Sequence, residues 1–333
     1  MATKFMDFAN ATGAAYTGNG FIQIPIWEKE ILDMVGKRGL LMQRLATKKA
    51  TGNPTRYFEK RYDASKRGAA FQDPHALAAS KYTANRVEKS AFIKALTNEV
   101  EFSHFDREVG NQQGIYTGIT EEDIRDMVKD LLMLQDAKVW TGNDTSLSES
   151  TTLEYVGLLT QLTQTAAIAD GVKIVDAIRT EVARLAAQVE YDVKPSLIVV
   201  NPLTYDLIEQ EEQARSNTNK TYDVEVVGGI KVRGVVTCMG ILPIVPEPYL
   251  PIEANKGEGE NAEKVVSNTH KIVILSENLI TRYYVGSPVP RIFAFGIQDQ
   301  SLNEKYMALQ YDCVVAKAAD YAHTVLTKTV AVA

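Results

Sequence analysis

Cysteine is nearly absent from this chain: Cys238 and Cys313 are the only two in 333 residues. Both sit in apolar, strand-like stretches, so the sequence predicts two buried free thiols, no disulfide framework, and assembly in a reducing cytoplasm. No apolar run approaches the roughly 18 residues of a membrane span, and no membrane partner is expected. Met1 to Gly20 lacks the basic-then-apolar order of a secretory signal. Outside a secretory route, the Asn-x-Thr sequons at Asn10, Asn143 and Asn219 carry no weight.

Positive charge is not in surplus either. Lys and Arg number 36 against 42 Asp and Glu, a formal net charge of -6, which argues against a surface that grips nucleic acid over its whole extent. The signatures of common chemistries are missing as well. There is no Gly-x-x-x-x-Gly-Lys-Ser/Thr loop to aim amides and a lysine at phosphate, and no HExxH, CxxC or EF-hand pattern. Gly13, Gly18 and Gly20 lack the dinucleotide spacing, while Gly228 and Gly229 fit a hairpin turn because no helix-opening loop follows them. His75, His104, His270 and His323 are scattered in sequence. No catalytic residue, cofactor or metal site is therefore expected. Glu121, Glu122 and Asp123 complement a helix start, and Glu209, Glu211 and Glu212 decorate a helix end, so both groups read as solvated or intersubunit charge rather than acid and base pairs. Trp140, Tyr283, Tyr284, Phe293 and Phe295 read as core or interface.

What is present is a chain 45% hydrophobic and long enough for one large domain or two. Pro195 to Pro251 carries the clearest order of elements. An apolar strand, Ser196 to Val200, runs into Asn201 and Pro202, a helix-capping pair, and then a helix from Leu203 to Gln213. A hairpin follows from Asp223 to Cys238, turning at Gly228 and Gly229, and Gly240 to Pro246 forms another strand. This order resembles the A domain of the HK97-fold major capsid proteins of tailed bacteriophages. The opening from Ile22 to Leu45, with Ile24, Pro25 and Trp27 ahead of a helical stretch, is similar to the N-arm of that family.

Between Lys48 and Lys94 eleven basic residues face four acidic ones, a formal +7 that leaves -13 for the remainder. Its ends, Thr55 to Tyr62 and Arg86 to Leu96, suit strands, and such a two-stranded excursion is marginal in isolation. It resembles the family's E-loop, a long hairpin resting on the next subunit. Thr120 is expected to cap the clearest helix, with Ile124, Met127, Val128, Leu131, Leu132 and Leu134 as its apolar stripe and Gly142 as its stop. By resemblance this is the spine helix of the P domain. A second helix is expected over Val175 to Val189, and strands over Lys271 to Leu275, Ile280 to Val285, Arg291 to Ile297 and Lys305 to Val315, before a closing segment from Lys317 to Thr327.

The resemblance implies an α+β, HK97-like capsid fold: N-terminal arm 1–46, E-loop 47–97, first part of the P domain with its spine helix 98–165, A domain 166–275, and P-domain return strands 276–333. It implies a structural, non-enzymatic protein that self-assembles as hexamers and pentamers into an icosahedral shell enclosing a phage genome. The implied partners are further copies of the chain, a separate scaffolding protein, a portal, and packaged DNA held without sequence-specific contacts. The implied location is the virion capsid, assembled in the host cytoplasm. Encapsulin-type compartment shells share the fold and form the nearest alternative; an α/β small-ligand enzyme and a DNA-binding protein using residues 48–94 are the others. Intersubunit contacts are expected at Arg56, Lys60, Arg61, Lys66 and Arg67, docking on Glu121, Glu122 and Asp123 of an adjacent copy. Asp299, Glu304 and Lys305 are expected where three capsomers meet.

Overall fold

The computed structural model describes residues 38–60, 71, 73–75, 86–105, 108, 112, 119–189, 191–214, 221–226, 230–257, 264–296 and 302–331. In chain order the elements begin with α1 (Leu41–Arg44), β1 (Ala46–Lys49), β2 (Thr55–Lys60), β3 (Arg86–Ala91), β4 (Lys94–Ser103), α2 (Ile119–Thr141) and α3 (Leu158–Gln161). Then come β5 (Thr165–Ala167), α4 (Ile174–Ala186), β6 (Leu197–Val200), α5 (Pro202–Gln213), β7 (Thr221–Val226), β8 (Ile230–Thr237) and β9 (Gly240–Pro246). The chain continues through β10 (Glu253–Lys256), β11 (Val265–Leu275), β12 (Ile280–Val285), β13 (Arg291–Phe295), β14 (Asn303–Ala316) and β15 (Thr324–Ala331).

These strands form an eight-stranded sheet, a five-stranded sheet and the separate hairpin β2–β3. The eight-stranded sheet runs β5-β15-β11-β6-β9-β8-β7, with β10 also paired to β11. Its centre is buried on both faces, which explains the unbroken apolar run of β6. Leu197 and Val199 of that strand, with Val245, Val273 and Leu275, point into a core shared with α2. Ile198 and Val200, with Ile244, Ile272 and Ile274, point the other way, onto Ile174, Ile178, Val182 and Leu185 of α4 and Ile208 of α5. Alternation along a strand divides the two sets cleanly. Asn201 caps α5 as its residue type predicts, its side chain accepting a 3.0 Å hydrogen bond from Leu203 N with Pro202 in the first turn.

Long β14 organises the five-stranded sheet. One edge of it pairs antiparallel with β4, and the other with β12 and then β13, while β1 runs parallel to β12. Helix α2 packs on β4 and β14, where Asn98 donates to Met127 O at 3.0 Å.

Several expectations need correction. Helix α2 begins at Ile119, so Thr120 lies inside its first turn rather than at the cap. Leu134 does not join the buried stripe and is 49% exposed, because Met127, Leu131, Gln135 and Val139, spaced by four, hold the inward face. Strand β11 starts at Val265, not Lys271; its polar first half pairs with β10 and β15 and so needs no apolar alternation. Closing strand β15 leaves the return strands grouped as 276–333 and pairs with β11 in the eight-stranded sheet. Cys238 is exposed because it falls in the turn between β8 and β9, while Cys313 is buried and its thiol pushed up to about 12, burial being the main cause. Gly228 and Gly229 lie outside the described residues; β7 and β8 on either side of them pair antiparallel, with Val226 opposite Ile230.

Candidate assembly surface

Strand parity assigns each residue of the five-stranded sheet to a face. Lys94, Leu96, Asn98 and Val100 stand opposite Asp312, Gln310, Ala308 and Tyr306 on the α2 side. Ala95, Thr97, Glu99 and Glu101 stand opposite Tyr311, Leu309, Met307 and Lys305 on the other side. Val285 opposite Tyr311, and Phe293 and Phe295 opposite Met307 and Lys305, extend that second side.

Among the described residues the second face is covered only at one end. There Tyr57 and Ala91, from the base of hairpin β2–β3, pack on Tyr283, Cys313 and Val315. Beyond Tyr311 the face stays open: Val285, Phe293, Phe295 and Tyr311 are 40–44% exposed. Glu99 and Glu101 border this apolar strip on β4, with side chains 55% and 48% exposed. Open apolar sheet faces of this kind are common at interaction surfaces.

The hairpin points away from the strip. Tyr57 lies over Cys313 and Val315, and Glu59, two residues on, accepts a hydrogen bond from Ala318 N at 3.0 Å. Strand β2 therefore advances past the Val315 end of the sheet. Lys317 sits 5.6 Å from the ring centroids of both Tyr57 and Tyr283, and Glu59 pairs with Lys89 at 2.7 Å, so the hairpin base is fixed to the body.

The expected contact residues distribute unevenly. Arg56 is exposed and forms a 3.2 Å pair with Glu88 on the facing strand. Lys60 is exposed at the end of β2. Arg61, Lys66, Arg67 and Asp299 lie outside the described residues, as does the side chain of Glu121. Glu122 and Asp123 are half-buried in the first turns of α2. Burial, and then the charge of Asp126, raise the Asp123 carboxyl above its ordinary value, so added positive charge there relieves repulsion. Lys305 already has partners in its own chain, Glu99 at 2.5 Å and Glu101 at 3.8 Å, and Glu304 faces His104 at 3.4 Å. The second acidic group is structural. Glu209 pairs with Arg233 at 2.5 Å, and Glu211 accepts from Ile174 N at 2.7 Å, at the start of α4.

The buried polar groups serve the fold. Asp312 is fully buried and accepts from Tyr155 Oη, from Gln135 Nε2 at 2.5 Å and from Arg282 Nε at 2.6 Å. Burial raises its carboxyl above the ordinary value, and Arg282 opposes that rise. Lys94, counted with the basic arm from sequence, is instead buried: its ammonium donates to Asp144 at 2.6 Å, Ser150 Oγ at 2.7 Å and Thr152 O at 2.5 Å. The hydrogen bonds and charge of Lys94, with the Thr151 hydroxyl, outweigh burial and hold Asp144 well below the carboxylate range. His323 is fully buried; its Nδ1 accepts from Ser276 N at 3.2 Å, and Nε2 lies 3.1 Å from Lys317 O as donor. Burial pushes this imidazole down to about 4. Among the described residues no group of three or more His, Cys, Asp or Glu is placed to hold a metal ion, and no helix is long and apolar enough to cross a membrane.

From sequence Phe293 and Phe295 read as core or interface, but their union with Met307, Leu309 and Tyr311 in one strip was missed. Phe293 and Phe295, and Met307, Leu309 and Tyr311, alternate at period two, but only the pairing of β13 with β14 puts them on one face.

Solved structures share this architecture. A chain from the capsid of a native GTA particle superposes with a TM-score of 0.65 at 13% identity, covering 95% of this chain and 98% of the other. A chain from Mycobacterium phage Ogopogo gives 0.57 at 12% identity, covering 95% and 98%. One from the head structure of Helicobacter pylori bacteriophage KHP40 gives 0.59 at 10% identity, covering 94% and 96%. No protein-family model and no curated protein sequence matches the chain. The expected α+β, HK97-like fold is the fold of this protein.

Proposed function

We propose that this chain is the major capsid protein of a tailed bacteriophage, a structural, non-enzymatic protein whose copies join as hexamers and pentamers into an icosahedral shell around the genome. One observation carries the reading: the five-stranded sheet is apolar and open at one end, while its own hairpin departs past the opposite end. A hairpin so directed serves a neighbour's open strip better than its own. Contacts of that head-to-tail kind close into rings when the rotation per copy divides the circle. The full-length likeness to chains of phage and GTA particles supports the same reading.

Within the shell, Arg56, Lys60, Arg61, Lys66 and Arg67 of the basic arm dock on acidic surface of the adjacent copy. Glu121, Glu122 and Asp123 form one such surface, and Glu99 and Glu101 beside the open strip form another. Asp299, Glu304 and Lys305 lie near a local three-fold contact, with Lys305 entering it already paired within its own chain. A separate scaffolding protein and a portal complete the assembly, and DNA is held without sequence-specific contacts. The particle assembles in the host cytoplasm. The division into N-arm 1–46, E-loop 47–97, P domain and A domain applies, with β15 assigned to the A-domain sheet.

Negative-stain electron microscopy and light scattering of the purified protein, alone and with its scaffold, test this. Closed shells with five-fold and six-fold rings are expected; a compact monomer under every condition overturns the reading.

A further inference from the structure

Where the described chain begins, two carboxylates are buried side by side. Asp136 of α2 and Glu247, just after β9, are each 1% exposed. Asp136 Oδ2 accepts from Arg38 Nε and from Gly39 N, both at 2.7 Å. Glu247 Oε2 accepts from Leu40 N at 2.8 Å and Leu41 N at 3.0 Å. Its other oxygen, Oε1, is buried and has no hydrogen-bond partner. Gly39 is wedged between the two groups: a Cβ there lies 2.6 Å from Glu247 Oε1 and 3.1 Å from Asp136 Cγ.

The charges at this site do not balance when both carboxyls are ionised. Among the described residues Arg38 is the cation paired with them, and Tyr249, whose phenol is raised by burial and by both carboxylates, adds no positive charge. Two carboxylates against one guanidinium leave an excess negative charge in a desolvated place, with an unpartnered oxygen to match. A proton on Glu247 removes the excess charge. Burial, and then the charge of Asp136, raise the Glu247 carboxyl against the opposing amide bonds of Leu41, Leu40 and Tyr249.

We propose that Asp136 and Glu247 form a proton-operated latch on the Arg38–Leu41 segment, closed when Glu247 is neutral and loosened when both carboxyls are ionised. The direction follows from linkage. In the released state Glu247 faces water and ionises near the ordinary value of 4.5, whereas in the latched state it keeps its proton to higher pH. Seating is therefore favoured at low pH and weakens as pH rises through the latched value. Residues 1–37 join the body at Arg38, so the latch decides whether their point of attachment is fixed. Its use in arm movement rests on the shell reading; the latch itself does not.

Hydrogen exchange at the Leu40 and Leu41 amides of the full chain, resolved by residue and corrected for intrinsic rates, tests it between about pH 5 and about pH 8. Protection in the wild type is expected to fall several-fold as pH rises. Glu247→Gln keeps an acceptor for both amides without the charge, and its profile is expected to be flat. A flat wild-type profile overturns the latch without recourse to any variant, and so does a Glu247→Gln profile that keeps the slope. Because exchange is read on single chains, an absence of shells leaves the latch standing, and its failure leaves the shell reading standing.

Discussion

The two sheets of this molecule solve different problems. The eight-stranded sheet buries the centre of both faces within its own chain, with β6 wholly enclosed between α2 on one side and α4 and α5 on the other. The five-stranded sheet buries the β4 and β14 part of one face under α2, with Ile292 of β13 on that side 51% exposed, and leaves half of the other face open. A sheet completed by its own helices serves folding. A sheet face left uncovered among the described residues retains apolar area for association, where it contributes stability only to an assembly. Damage to the two regions should therefore separate into folding defects and assembly defects.

The largest expected effect is at the interior side of the five-stranded sheet. Asp312→Ala leaves Arg282 buried, with Nη2 already lacking a partner, and should cost about 3–5 kcal/mol in denaturant unfolding. Ile198→Ala, in the closed sheet, should cost about 2–5 kcal/mol by lost burial and the cavity left behind. A loss below about 1 kcal/mol at Ile198 would mean that the closed sheet is not the folding core.

Acid separates the sheets from their joint. His323 bonds Ser276 and Lys317, where the chain passes between the two sheets after β11 and again after β14. Its folded value is lowered to about 4 from 6.5, so its neutral form is the one that folding favours. Stability is full above about pH 6.5 and falls as pH drops toward about 4, by an amount on the order of 3 kcal/mol. Unfolding midpoints of the wild type and His323→Gln, followed across that window, should converge at low pH. His270, also lowered by burial, leaves some slope in the variant.

The smallest effects on folding belong to the open strip and the basic arm. Phe293→Ser with Phe295→Ser, whose rings are 40% and 44% exposed, should cost about 1–2 kcal/mol of unfolding free energy, yet prevent shell formation. Normal shells from this variant would remove the strip from the assembly interface. Single exposed ion pairs contribute about 0–1 kcal/mol, so reversing Arg56 alone to Glu should do little. Reversing Arg56, Lys60 and Arg61 together should leave circular dichroism unchanged and lower shell yield most at low salt, where screening is weakest. Normal yield at low salt would exclude electrostatic docking of the arm.

Legibility followed locality. The strand at Ser196 to Val200, the Asn201–Pro202 cap and the helix to Gln213 could be read because their signals are contiguous and chemical. Val265 to His270 could not be read as strand, since its support comes from cross-strand polar contacts such as Asn255 to Thr269 at 2.9 Å. Asp312 gave no local sign of its role: its partners Tyr155, Gln135 and Arg282 lie 157, 177 and 30 residues away. Lys94 misled for the same reason, its partner Asp144 being 50 residues distant, and so a buried cation was counted with the arm. The open face was hidden differently, because alternation shows that a strand has two faces but not which neighbour covers either.

Strand β14 also has a mechanical meaning. It is 14 residues long, is bonded along both edges, and continues through the His323 crossing into β15 of the other sheet. Hydrogen bonds between antiparallel strands run perpendicular to the strands. A pull along β14 therefore loads those bonds together in shear instead of opening them one at a time. If neighbours grip the open strip while the body is pushed outward from within, β14 is the tendon along which tension passes from one sheet to the other.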